Sequence, residues 1–281
     1  MEVVRSTIQP LTKNLPEPVR DAAINLLGKK CYRSLLLNVD ISDTECLKLA
    51  VSKGLGIAII GGSSIIKIPQ LLKLLQSKSS EGVSFLSYLL ETTAYLITLA
   101  YNARQNFPFS TYGESALIAL QNVVIAALVL HFGGKGAAAA AFVGGLAAAG
   151  YAMFNENLVD MNLLSYFQAG AGVLGVASKL PQIWTIWSKG GTGQLSAFAV
   201  FNYLVGSLSR IFTTLQEVDD KLILYGFVAA FALNAVLAGQ MIYYWNSPGK
   251  KTGKAGKTQR EKVGAGSSTT GSARPSTRRR G

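Results

Sequence analysis

The chain is 281 residues long, 49% apolar and only 15% charged, with a net charge of +12 and a positive mean hydropathy. A soluble domain of this length carries about 25% charge, so the composition excludes an ordinary soluble globular protein and points to the bilayer. The positive excess does not describe a nucleic-acid-binding surface either: residues 246–281 hold ten Lys/Arg and one acid, so +9 of the +12 lies in a Gly/Ser/Thr-rich tail and the rest is nearly neutral.

Residues 1–49 mix prolines, charges and a short amphipathic run from Val19 to Leu27, which reads as an interfacial pre-membrane segment. It lacks the apolar core and cleavage site of a signal peptide, so the first membrane segment is expected to serve as the targeting signal. The only two cysteines, Cys31 and Cys46, lie in this segment. They either close a disulfide in an oxidising lumen or remain free thiols near the membrane surface.

A membrane helix needs about 20 apolar residues. Windows near 54–75, 83–102, 113–132, 136–154, 161–186, 196–215 and 222–245 meet or approach that length, joined by short turns such as Asn106-Phe107-Pro108 and Gly133-Gly134. The first and fifth windows are each interrupted by the same motif, Lys67-Ile68-Pro69-Gln70 and Lys179-Leu180-Pro181-Gln182, 112 residues apart. Adding 112 to the first three windows reproduces the last three, while the fourth has no partner. The expected architecture is therefore all-α and integral to the membrane, with seven transmembrane helices as two parallel three-helix repeats joined by a linker helix. The divisions are an N-terminal segment (1–49), a first repeat (50–132), the linker (133–160), a second repeat (161–246) and a basic tail (247–281). Three helices invert a second copy, and a single extra helix restores it. The Lys/Arg bias of the loops and tail places the C-terminus in the cytosol and the N-terminus in the lumen. The tail is too polar to bury a core and is expected to be disordered.

Polar residues inside apolar helices are functional candidates by default. Pro69 and Pro181 remove a backbone donor, so each helix kinks or breaks, either as a static bend or as a hinge between moving bundles. Gln70 and Gln182 are adjacent amides able to repair the freed carbonyls. Lys67 and Lys179 lie about 12 Å inside the cytosolic ends of their helices, and Glu91 lies at a similar depth, placed to neutralise one lysine and leave the other free. Asn122 and Asn234 repeat the 112-residue offset near mid-membrane. They either hydrogen-bond neighbouring helices or form a shared polar site; Gln121 and Gln168 are weaker candidates. Arg210 has Thr98 at its repeat position, and it either meets an anion or pairs with Glu217 or Glu114.

Enzyme signatures are lacking. The one histidine, His131, sits at a helix end, no His/Cys cluster has metal-ligand spacing, and there is no nucleophile elbow or phosphate-binding glycine loop. Asp219-Asp220 read as loop acids rather than a metal site. A non-enzymatic protein without cofactor or resident metal is expected.

The duplicated Pro-Gln motifs and the three-one-three plan resemble the PQ-loop repeat proteins, whose relatives include SWEET sugar transporters, cystinosin and the KDEL receptor. Several stretches are more narrowly similar to the mannose-P-dolichol utilization defect family: Cys31-Tyr32, Ser52-Lys53-Gly54-Leu55-Gly56, Asn106-Phe107-Pro108-Phe109-Ser110, Thr192-Gly193-Gln194-Leu195-Ser196, Ser207-Leu208-Ser209-Arg210, Gln216-Glu217 and Tyr244-Trp245-Asn246. That resemblance implies an endoplasmic-reticulum membrane protein needed for lumenal glycosyltransferases to use dolichyl-phosphate-mannose and dolichyl-phosphate-glucose, hence for N-glycosylation and GPI-anchor assembly. On this expectation Lys67 or Lys179 meets the phosphate, and Asn122 and Asn234 meet the sugar. The alternative is a SWEET- or cystinosin-like transporter of a small polar solute.

Overall fold

The computed structural model describes residues 9, 10, 12, 14–81, 83–192 and 197–245. The basic tail, and the motifs at 193–196 and Asn246, lie outside the described residues. Every regular element described is helical.

Helix α1 (Glu17–Cys31) runs into a π-helical turn, Tyr32–Leu37, and precedes the first membrane helix α2 (Thr44–Ser63). The disulfide Cys31–Cys46 ties the end of α1 to the first turn of α2. Asp43 caps α2 by accepting the Cys46 N–H (3.1 Å) and the Ser34 hydroxyl (2.8 Å). These donors hold its carboxyl below the usual carboxylate range, the Cys46 N–H first. The first membrane helix thus starts ten residues before the expected window, because hydropathy alone discounts Lys48 and Lys53 although α2 carries both. Cys46 is therefore helical rather than part of a separate pre-membrane segment.

At the Lys-x-Pro-Gln motifs both helices break outright. Residues 64–67 turn, and α3 (Ile68–Ser77) starts anew with proline in its first turn, where the missing N–H is harmless. After α4 (Phe85–Arg104), α5 (Gly113–Phe132), α6 (Gly136–Phe154) and α7 (Met161–Ala177), the same break yields α8 (Leu180–Lys189), followed by α9 (Ala197–Glu217) and α10 (Lys221–Tyr243). The duplication reaches the caps: α3 ends on Lys78 and α8 on Gly190, both left-handed and 112 residues apart. At φ 62° Gly190 is unstrained, whereas Lys78 adopts the same turn at φ 48°.

Among the described residues four stretches satisfy the length and hydropathy of a membrane span unaided: 44–77, α5, α6 and α10. Their exposed faces carry many large apolar side chains, and Trp184 and Trp187 of α8 also project outward, as suits a multi-pass membrane protein. The ends of the bundle are called here the N-face, with the connections 38–43, 105–112, 155–160 and 218–220, and the C-face, with 78–84 and 133–135. Asp160 and Asp220 cap α7 and α10 at the N-face as Asp43 caps α2.

Within each repeat the helices pack on one another, and across the repeats α2 packs on α9 and α4 on α7, a pseudo-twofold exchange. The linker α6 packs on α4 and α5 through Phe142, which meets Phe85 edge-on (5.4 Å). Near the C-face each repeat keeps its own core, around Ile125 in the first and Leu237 in the second. Near the N-face a third cluster, including Tyr101, Leu164 and Ile223, joins them.

Candidate functional site

The two break points are chemically unequal. In the first, Lys67 Nζ donates to both Glu91 carboxylate oxygens (3.1 Å each) and lies 5.2 Å from the Tyr88 ring centroid. Gln121 from α5 clamps the turn: its Oε1 accepts the Lys67 backbone N–H (3.0 Å) and its Nε2 donates to the Ser63 carbonyl (2.8 Å). The Ile65 carbonyl, which Pro69 cannot serve, accepts instead from the Ile68 N–H (3.1 Å), and among the described residues neither the Gln70 nor the Gln182 side chain makes a hydrogen bond. In the second break, Lys179 has no carboxylate partner among the described residues. Its Nζ lies 4.9 Å from the ring of Tyr203, which occupies the repeat position of Glu91. Gln121 is replaced there by Leu233.

Asn122 is fully buried with both amide atoms unpartnered. Asn234 donates to the Tyr203 carbonyl (3.0 Å) and Ser207 Oγ (3.1 Å), tying α10 to α9. Neither lines the cavity described below, so the structure does not bring the two asparagines together in a shared site there. Each is enclosed by helix packing at a different kind of contact.

Buried charges gather instead at the N-face, where the repeats meet. Glu217 at the end of α9 is 2% exposed and accepts from Ser52 (2.5 Å), Lys53 (2.5 Å) and Ser110 (2.8 Å). Lys53 also donates to Ser110 Oγ (3.0 Å). Arg210 pairs with Glu114 and donates to the Ser110 carbonyl (3.3 Å). Of the two sequence alternatives for Arg210, the structure therefore places it in an ion pair. Gly56 permits this convergence, since a Cβ there would sit 2.5 Å from the Ser110 carbonyl oxygen. Asp220, besides capping α10, accepts from Tyr101 (2.6 Å). Lys53 and Ser52 are functional-site neighbours that hydropathy windows miss; the signal available was a lysine ten residues inside a capped helix.

Between the repeats lies a cavity of about 730 Å³ walled by α4, α5, α7 and α10 and reaching the start of α8. Its polar groups, including Tyr95, Asn102, Glu114 and Gln168, face small or apolar ones such as Gly172 and Ala229. Thr98 donates to Gln168 Oε1 across the repeats (3.1 Å). The cavity is not closed: its wall residues Val173 and Tyr225 remain 67% and 65% exposed. One end falls on Ala177 and Leu180, the residues flanking the Lys179 break, although Lys179 is not itself a wall. Among the described residues no group of His, Cys, Asp or Glu could hold a metal ion.

Two parallel three-helix repeats, each with an interrupted first helix, are the arrangement that the PQ-loop motif marks. The family model of that name, PQ loop repeat, matches residues 51–111 and 163–223, again 112 apart, so the chain carries two PQ-loop repeats. It is similar to the human protein named Solute carrier family 66 member 3, at 28% identity over 188 residues, covering 66% of this chain and 90% of that protein. No solved structure matches the chain.

Proposed function

We propose that this chain is a non-enzymatic protein of the endoplasmic-reticulum membrane that binds dolichyl-phosphate-mannose or dolichyl-phosphate-glucose between its repeats and presents or flips it for lumenal glycosyltransferases. The observation that carries the reading is the side-open cavity beside an unneutralised lysine. Val173 lies 12 residues into α7, about 18 Å along the helix, so exposure there opens the cavity at the depth of the hydrocarbon. Such an opening suits a ligand with a chain that stays in lipid. The Gly/Ala side of the cavity accepts a prenyl chain, and Lys179 supplies the charge for a phosphate. Lys67, neutralised by Glu91, is the structural member of the pair. The N-face is lumenal and the basic tail cytosolic on the Lys/Arg bias.

Native mass spectrometry of the purified protein tests this reading. Wild type and K67A are expected to retain a dolichyl-phosphate sugar and K179A to lose it; retention by K179A refutes the phosphate assignment. Transbilayer movement of a short-chain mannosyl-phosphate-prenol in proteoliposomes separates flipping from presentation.

The name of the human relative favours a second reading, a carrier of a small neutral polar solute using the same cavity. Counterflow of free sugars or amino acids in proteoliposomes, undiminished by K179A, supports that reading over the first.

A further inference from the structure

We infer that Glu114, held by Arg210, is the specificity-determining residue that reads the hydroxyls of the sugar head group, with Gln168 as its donor counterpart. This inference rests on the lipid-linked sugar reading and assigns the polar end of the same cavity.

Glu114 is the one charged side chain among the described walls of the cavity. It lies in the first turn of α5, where the helix dipole favours a carboxylate. Its side chain remains 16% exposed, whereas that of Arg210 behind it is only 6% exposed. Arg210 is in turn fixed by the Ser110 carbonyl, and Ser110 by Glu217 and Lys53. The carboxylate is therefore anchored through a buried chain that spans both repeats. Arg210 balances its charge, so the site calls neither for a cation nor for a phosphate. What it offers is a strong, stationary hydrogen-bond acceptor.

Elsewhere on the cavity wall, the Thr98 hydroxyl donates to the Gln168 oxygen, which leaves the NH₂ group of the amide as the free end. No described residue accepts from that NH₂ group. A fixed anionic acceptor and an amide donor on the walls of one cavity match a sugar diol, in which each hydroxyl both donates and accepts. The levels also fit. The Lys67 N–H bond to Gln121 sets the first break at the level of residue 121, and the repeat offset carries this to Lys179 at the level of Leu233. Glu114 corresponds to Gly226, seven residues away, or about 10 Å of helix rise. That separation is of the order of the length of a hexosyl phosphate.

The test uses full-length protein in nanodiscs with two probes, farnesyl-phosphate-mannose and farnesyl phosphate. Wild type is expected to prefer the mannosylated probe by about tenfold, the worth of one hydrogen bond to a charged group. E114Q alone leaves Arg210 buried without a counter-ion, so the primary variant is E114Q/R210M. It is expected to bind farnesyl phosphate as wild type does but to lose the mannosyl preference. E114D keeps the ion pair while shortening the reach, and it is expected to reduce the preference several-fold at unchanged farnesyl phosphate affinity; this readout stands if the double variant does not fold. K179Q should weaken both probes equally. A preference that survives in E114D, or in a folded E114Q/R210M, overturns the Glu114 assignment while leaving the lipid-linked sugar reading intact. Wild type that binds neither probe overturns that reading and this inference together.

Discussion

The turns before α3 and α8 fall at the same repeat position and differ both in length, four residues against two, and in chemistry. In the first, a carboxylate, an aromatic ring and a glutamine clamp hold Lys67 and its turn. In the second, the same three positions offer Tyr203, Val200 and Leu233, leaving Lys179 over one ring. Duplication preserved the break, while side-chain divergence made one copy a fixed frame and left the other with a cation to spend on a ligand. A motif repeated twice is thus not a site repeated twice.

The comparison can be broken most forcefully at the joint between the repeats. E217A leaves Lys53 buried without its counter-ion and is expected to destabilise the protein by about 3 kcal/mol in reversible unfolding in bicelles. K53M/E217M, which removes both charges, should recover most of that loss. A smaller effect is expected from Q121L, which gives the first break the leucine of the second. The Lys67 N–H and Ser63 carbonyl lose their partner, about 2 kcal/mol by the same measurement. If Q121L is neutral, the first break is no better held than the second.

E91Q is expected to cost only about 1 kcal/mol, because the Lys67–Glu91 pair is partly open to the surroundings. Its sharper readout is binding: freed of its carboxylate, Lys67 should take up a second farnesyl phosphate, visible as a two-to-one complex by native mass spectrometry. The smallest effect concerns the N-terminal turn. Asp43 is depressed below its ordinary value of 3.8, so its contribution is present above that pH and lost as pH falls through the lower folded value. Lys30, raised by its hydrogen bond to Glu45, contributes below 10.5 and loses this as pH rises through its higher folded value. Protection of the Cys46 amide, taken relative to its intrinsic exchange rate, is therefore expected to be high at neutral pH and to fall as pH drops below 3.8, and D43A should lower it already at neutral pH.

Much of the architecture is legible in the sequence because it is periodic. The 112-residue offset, the unpaired linker and the bounds of α5 and α6 need only hydropathy and counting. Local depth also suffices to place Glu91 level with the two lysines, and only the packing shows that its partner is Lys67. The contacts across the repeats are not legible in this way. Glu217 meets Lys53 across 164 residues, and only the packing of α9 on α2 makes them neighbours. Asn122 and Asn234 show the opposite failure: equal sequence positions imply equal roles only if both copies face the same surroundings, and Tyr203 and Ser207 supply partners that the first repeat does not.

The linker α6 has a consequence for how the protein is made. It packs on α4 and α5, whereas the second repeat contributes no comparable contact. The natural seam of the chain therefore falls at 155–160, after the linker rather than before it. During synthesis a four-helix unit can finish its packing before α7 emerges, and the late half then docks onto a finished template. Two polypeptides divided at that seam and produced together should reassemble, whereas division at 133–135 would strand α6 on the wrong piece.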